Sequence, residues 1–107
     1  MLPIEKLKSL SERHRELEEL LCVPEIIADT RRYTLLRREH ADLGAIVETF
    51  ARHQKATTQL ADDRGALTDP ELRSMAEEEI PLLEVELVEL EKAIELLLLP
   101  TDPNDAR

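Results

Sequence analysis

The chain has 107 residues, with 24 acidic and 14 basic side chains that give a formal net charge of −10. This length corresponds to one domain with a modest core. The excess of negative charge argues against a general nucleic-acid-binding protein, which needs cationic surface to displace counterions from phosphates. Charged residues make up 36% of the chain, and there are two glycines, one tyrosine and one phenylalanine. This composition favours long, solvated helices over a β-sheet.

The first apolar pattern predicts a helix over residues 3–21. Pro3 suits the opening turn of a helix, and Pro24 disfavours helical geometry at the residue before it. We therefore expect the helix to end near Cys22. Its apolar stripe, which includes His14, has helical spacing and consists of Ile4, Leu7, Leu10, Leu17, Leu20 and Leu21.

The second pattern predicts a short helical turn over residues 24–28 and then a long helix over residues 30–60, with Asp29 as its N-terminal cap. Steps of three and four alternate along this helix, which is typical of a coiled-coil seam. The seam consists of Tyr33, Leu36, His40, Leu43, Val47 and Phe50, and continues in polar form with Gln54 and Thr57. We expect Asp62–Gly65 to end the helix as a loop, with Gly65 as its turn residue.

The third pattern predicts a helix over residues 70–98, introduced by a capping acid, a first-turn proline and a second acid at Asp69–Glu71. Its stripe consists of Ile80, Leu83, Leu87, Leu90, Ile94 and Leu97. Pro81 removes one backbone hydrogen bond, which predicts a kink or a division of the helix. Three antiparallel helices with one apolar stripe each predict an all-α fold. We expect an elongated helical hairpin or three-helix bundle with coiled-coil-like packing.

The end of the chain has its own composition. The leucines of residues 96–99 run into two prolines and three Asp or Asn residues. We expect residues 99–107 to be a linker, and the end to mark a boundary at which a larger protein was cut. Four leucines are too few to span a bilayer, and the amino terminus lacks a secretory signal. With the single cysteine, Cys22, these features are typical of a cytoplasmic protein.

The chemically active residue types form no catalytic or metal-binding motif. A helix-bundle di-iron site needs glutamate three positions before histidine, and none of the three histidines has one. We therefore interpret His14 and His40 as packing or hydrogen-bonding residues, and Cys22 as a small apolar side chain. Residues 77–79 are interpreted as a solvated acidic face, and two glycines are too few for a phosphate-binding loop. We expect no enzymatic activity, no cofactor and no metal.

Four arginines at the start of the second helix are the candidate contact residues: Arg31, Arg32, Arg37 and Arg38. Residues 30–60 carry six basic and three acidic side chains, whereas residues 69–98 carry two basic and ten acidic ones. Two interpretations follow. The arginines pair with the acidic third helix of the same molecule, or they contact an RNA backbone or an acidic protein.

Four segments in collinear order resemble the amino-terminal domain of bacterial class-I peptide chain release factors. They are Pro24–Asp29, Tyr33–Leu43, Asp69–Glu79 and the leucine-rich end with Pro100–Asp105. The Leu-Leu-Leu-Pro-x-Asp-Pro ending resembles the factor that reads UAA and UAG rather than its sister that reads UGA. Two residues depart from the family pattern: Val23 stands where Asp is frequent, and Pro81 interrupts a helix that is commonly continuous.

This resemblance implies a cytoplasmic factor that enters the ribosomal decoding site at stop codons and triggers hydrolysis of peptidyl-tRNA. In that family the helical domain comes first and reaches toward the rRNA and protein of the large-subunit stalk base, where a GTPase-type release factor also acts. Decoding and catalysis lie in a Pro-x-Thr tripeptide and a Gly-Gly-Gln loop, and neither occurs in these 107 residues. The resemblance therefore implies a non-enzymatic docking domain. Our own hypothesis is that the Arg31–Arg38 cluster contributes to contact with the stalk base, and we expect no DNA or membrane partner.

Two other functions are compatible with the helical pattern. A coiled-coil adaptor or chaperone-like structural protein would pair its seams with a second copy of itself. A metal-binding bundle would bind added zinc or iron. We expect a monomer for the release-factor domain, whereas an obligate elongated dimer would favour the adaptor.

Overall fold

The computed structural model describes residues 2–99, and within them it contains four α-helices and no strand. The helices are α1, Ile4–Leu20; α2, Pro24–Ala28; α3, Thr30–Ala66; and α4, Arg73–Leu98. The predicted all-α class is confirmed. Apart from Leu99, the predicted linker lies outside the described residues.

The connection from α1 to α3 follows from proline and aspartate chemistry. After α1 ends, the Cys22 amide donates a hydrogen bond to the Glu19 carbonyl at 3.1 Å. Pro24 takes the first position of α2, where a missing amide proton costs no helical hydrogen bond. Asp29 Oδ1 accepts the backbone N–H of Arg32 at 3.2 Å. Asp29 therefore caps α3, as predicted.

The C-terminal end of α3 differs from the prediction. The helix continues to Ala66, so the expected loop at Asp62–Gly65 is wrong. Gly65 has no positive φ and lies within the helix. A helical glycine costs only about 1 kcal/mol relative to alanine. The same turns bury Leu60 and Asp63, and this packing outweighs the local preference of glycine and aspartate for a loop.

The N-terminal end of α4 is organised by Asp69, but the helix begins at Arg73 rather than at residue 70. Asp69 Oδ1 accepts the N–H of Glu71 at 2.9 Å, and the Asp69 carbonyl accepts the N–H of Arg73 at 2.9 Å. The predicted capping acid thus closes the turn before the helix. Pro81 lies inside α4 and does not divide it, because proline removes a single hydrogen bond from the ladder.

The described chain divides into two compact units, with the boundary inside α3 between Glu48 and Thr49. The first unit contains α1, α2 and the first part of α3, and it buries Leu2, Leu7, Leu17, Ile26 and Ile46. The second unit contains the rest of α3 and α4, and it buries Phe50, Ala56, Leu60, Ala76, Leu90 and Ile94. Each unit therefore has a core of its own.

The buried face of α3 departs from the predicted seam in the second unit. Gln54 and Thr57 are exposed, whereas Ala56 and Leu60 are buried. Alternating steps of four and three repeat every 3.5 residues, but an α-helix has 3.6 residues per turn, so its contact face drifts along the sequence. The predicted polar extension of the seam is wrong for this reason.

The outer side of α4 keeps several large apolar side chains in solvent. Leu97, a member of the predicted stripe, is 45% exposed, so this assignment is wrong and the buried stripe ends at Ile94. After Pro81, the other exposed large apolar side chains are Leu82, Val85, Val88 and Leu96 on α4 and Leu99 directly after it. We call Leu97 and these five residues the outer apolar set of α4.

Candidate functional site

The arginine cluster lies on the first turns of α3, in the first unit. Arg31, Arg32, Arg37 and Arg38 are all exposed. The Asp29 cap and the hydrogen bond from the Tyr33 amide to the Asp29 carbonyl, at 2.8 Å, fix the turn on which the first two arginines stand. Arg31 and Arg38 are seven residues apart and therefore lie on the same face of the helix.

Within the described residues of the first unit, the ion pairs join Arg13, His14 and His40 to glutamates and involve none of the four arginines. The ion pairs that involve α4 come instead from Arg64, 3.8 Å from Glu84, and from Arg73, 2.9 Å from Glu77. Whether the cluster pairs with the acidic third helix, which lies in the second unit, stays a prediction. The guanidinium groups are available to phosphates or carboxylates of a partner, which arginine can bind in bidentate fashion.

A shallow depression of about 370 Å³ adjoins the cluster on the surface of α3. Its lining consists of Tyr33, Thr34, Arg37, Arg38 and Ala41. The Thr34 hydroxyl donates a hydrogen bond to the Thr30 carbonyl at 2.8 Å and so is satisfied within the helix. Carbon atoms of the tyrosine ring and of the arginine stems supply apolar contact area, with charge at the rim. The depression therefore suits an anionic group that belongs to the surface of a larger partner.

Glu39, the acidic neighbour of Arg38 in the sequence, is engaged by α1. Arg13 Nε lies 2.7 Å from Glu39 Oε2, and Arg13 Nη2 lies 2.9 Å from Glu39 Oε1, which makes a bidentate pair. The hydrogen bond from Arg13 lowers the pKa of Glu39 below its usual value. Because this carboxylate is held by α1, the cluster keeps its local positive charge.

A second polar group joins α1 to α3. Glu18 Oε1 lies 3.3 Å from His14 Nδ1 and 3.3 Å from His40 Nε2, and the two imidazole rings stack with their centroids 4.1 Å apart. The sequence pattern predicts packing roles for both histidines and does not connect them with Glu18. The di-iron motif places glutamate before histidine, whereas here the glutamate follows His14 by one helical turn. The sequence signal that could have predicted this group is the His-x-x-x-Glu spacing of His14 and Glu18.

The second unit contains a carboxyl pair, a buried Asp63 and a half-buried Glu79, that the sequence pattern also fails to predict. Asp63 is 2% exposed, and its Oδ1 accepts a hydrogen bond from Gln59 Nε2 at 2.9 Å. A hydrogen bond with Asp63, the charge of Asp63 and burial together raise the pKa of Glu79. Asp63 Oδ2 is buried and accepts no hydrogen bond from another described residue, which leaves it as an acceptor for a protonated Glu79 carboxyl group. Glu79 is therefore half-buried and interacts with Asp63, whereas Glu77 and Glu78 are exposed.

None of the four described helices combines the length and the apolar character that crossing a bilayer requires.

These observations define an all-helical module that presents arginines on a braced helix. The chain belongs to the PCRF domain family, whose model matches residues 10–107. It is similar to peptide chain release factor 1 of Sorangium cellulosum, with 43% identity over 107 residues, which is 100% of this chain and 29% of that protein. It is also similar to peptide chain release factor 1 of Geobacter metallireducens, with 46% identity over 103 residues, 96% of this chain and 29% of that protein.

A third relative comes from another bacterium. Peptide chain release factor 1 of Ligilactobacillus salivarius is 42% identical over 104 residues, which is 94% of this chain and 29% of that protein. The resemblance inferred from the four sequence segments is confirmed. The chain spans 29% of the length of each of these relatives.

Proposed function

We propose that this chain is the ribosome-docking domain of a translation termination factor that acts in the cytoplasm at the stop codons UAA and UAG. Membership of the PCRF family and the names of the relatives support this function. The domain itself is non-enzymatic in this proposal, because the 107 residues contain neither a Pro-x-Thr nor a Gly-Gly-Gln sequence. Its work is to position the rest of a factor during release of the nascent peptide.

The observation that carries the docking role is the exposed arginine cluster of α3. In a chain of net charge −10, a local group of four exposed arginines without ion partners among the described residues of the first unit makes this part of the surface positive. Such a face orients an acidic protein toward a polyanion during encounter. We assign this face to rRNA and protein of the large-subunit stalk base, close to a GTPase-type release factor.

Ribosome binding tests this assignment through paired charge removals. The R31Q/R38Q variant should bind isolated large subunits more weakly than the unchanged chain. The slope of log affinity against log salt should fall by about one for each phosphate that the variant no longer binds. R15Q/R52Q is the matched control, since it removes two exposed arginines outside the cluster. Cosedimentation over a salt series measures both quantities. Equal affinities and slopes for the two variants would overturn the assignment.

Peptide release tests the proposed function separately. This chain replaces the matching segment of Geobacter metallireducens peptide chain release factor 1, and release is measured on ribosomes that display each stop codon. The chimera should act at UAA and UAG. R31Q/R38Q should raise the ribosome concentration needed for half-maximal rate while leaving the maximal rate unchanged, because the substitutions weaken docking, which precedes chemistry. A chimera that folds but releases no peptide would contradict the proposal.

A further inference from the structure

We propose that His14, Glu18 and His40 form a binding site for a divalent transition-metal ion, with Zn²⁺ as the best-matched ion. The site joins α1 to α3 within the first unit and is independent of the arginine cluster and of the docking function. Its donor set of two imidazoles and one carboxylate is a known zinc combination, in which water takes the fourth position.

The distances between the donor atoms match a zinc site. Glu18 Oε1 lies 3.3 Å from each of the two histidine nitrogens, and all three donor atoms lie within 4.8 Å of one another. Two ligands on a tetrahedral zinc ion with bonds of 2.0–2.1 Å stand about 3.3–3.4 Å apart. The carboxylate is therefore already at ligand distance from both nitrogens.

Metal binding needs a small rearrangement of the two rings. The planes of His14 and His40 are 20° apart in the stack, so their lone pairs do not yet converge on one point. The side chains of His14 and His40 are 17% and 30% exposed, and that of Glu18 is 56% exposed. Each ring has solvent on one side, which lets it rotate about its Cβ–Cγ bond and lets the ion enter.

The neighbouring ion pairs of Arg13 align α1 with α3 at the site and leave the Glu18 carboxylate without a competing cation. The Arg13–Glu39 pair stands one residue before His14 on α1 and one residue before His40 on α3. It therefore fixes the two helices at the level of the histidines. Arg13 is also 3.0 Å from Glu16, so this nearby cation is engaged by two other carboxylates and does not pair with Glu18.

Direct Zn²⁺ titration of the metal-free 107-residue chain tests the proposal. Competition with a chromophoric chelator measures the affinity in a C22S background, which removes the exposed thiol as a rival ligand. We expect one Zn²⁺ per chain, and binding weakened by more than about tenfold in H14N, E18Q and H40N. E19Q and H53N are matched controls outside the site and should bind like the C22S chain. Bound Zn²⁺ should also raise Tm, by an amount that grows with the logarithm of the free Zn²⁺ concentration once this exceeds Kd.

Ring resonances give a readout that does not depend on the folding of a variant. Imidazole ¹⁵N shifts of His14 and His40 should change on addition of Zn²⁺ to the C22S chain, while those of His53 stay fixed. Binding should weaken as the pH falls, because only neutral imidazole ligates metal. The proposal is overturned if the C22S chain binds no Zn²⁺, if E18Q and H40N bind as tightly as E19Q, or if the His53 resonances shift instead.

Discussion

Single ionisable residues have opposite effects on stability in the two units. In the first unit, Arg13 lowers the pKa of Glu39 from its usual value of 4.5, so this stabilising contribution is lost as pH falls through the lowered value. In the second unit, Asp63 raises the pKa of Glu79 from 4.5. The folded state then holds its proton more tightly than the unfolded state, and stability falls as pH rises from 4.5 through the raised value.

Replacing Glu79 with glutamine separates the second effect from the first. The E79Q amide can donate a hydrogen bond to Asp63 without bringing a second negative charge, so E79Q should be more stable than the unchanged chain at neutral pH. The fall in stability above pH 4.5 should become smaller. Urea unfolding at a series of pH values measures both effects. E78Q, which changes an exposed neighbour, is the control, and equal pH profiles for E79Q and E78Q would rule out a shared proton.

Residues that act together are the hardest to find from sequence. The arginine cluster was predicted because its members lie within eight consecutive positions. The His14–Glu18–His40 group and the Asp63–Glu79 pair each join two helices, and their members become neighbours only through packing. Hydrophobic periodicity also fails to predict the burial of Asp63, because the sequence does not distinguish a buried carboxyl group from a solvated one until its partner is known.

At the scale of the helices, local sequence signals predict some helix ends correctly and others wrongly. Pro24 and Asp29 placed the end of α1, the start of α2 and the cap of α3, because each restricts the backbone or satisfies a free amide directly. Asp62–Gly65 misled the prediction, because tertiary packing overrides residue propensities worth roughly 1 kcal/mol or less. The start of α4 was displaced because Asp69 closes a turn before the helix begins.

A Gly65→Ala substitution distinguishes the observed helix from the predicted loop. An added Cβ at Gly65 meets no atom within 4 Å, and the backbone there has no positive φ. Alanine should therefore raise the free energy of unfolding by about 0.4–1 kcal/mol. Denaturant unfolding measures this change. Gly44→Ala, at an equally open position within α3, is the control for a helical glycine. A loss of stability in Gly65→Ala alone would favour the loop.

At the scale of the whole chain, each unit buries an apolar stripe of its own. The apolar stripes are therefore buried without a second copy of the chain, which favours a monomer. The outer apolar set of α4 is the feature that favours self-association, since an exposed apolar surface of this kind is typical of interaction sites. These two features make opposite predictions about mass in solution.

Sedimentation velocity decides between them. We expect a monomer at micromolar concentration, with no change in mass for L82E/L96E, because both side chains are exposed. L90A, which empties a buried position of α4, should destabilise the chain by about 2–5 kcal/mol and serves as the comparison for a core residue. A dimer that L82E/L96E dissociates would instead support the self-associating adaptor.

The bidentate contact between Arg13 and Glu39 ties the electrostatic potential of α3 to a residue far away in the sequence. Removing the Arg13 guanidinium would free a carboxylate next to Arg38 and cancel one positive charge of the cluster. A substitution at position 13 should thus weaken the proposed attraction to the ribosome although every cluster arginine remains in place. In a salt titration its effect would resemble the removal of an arginine from α3.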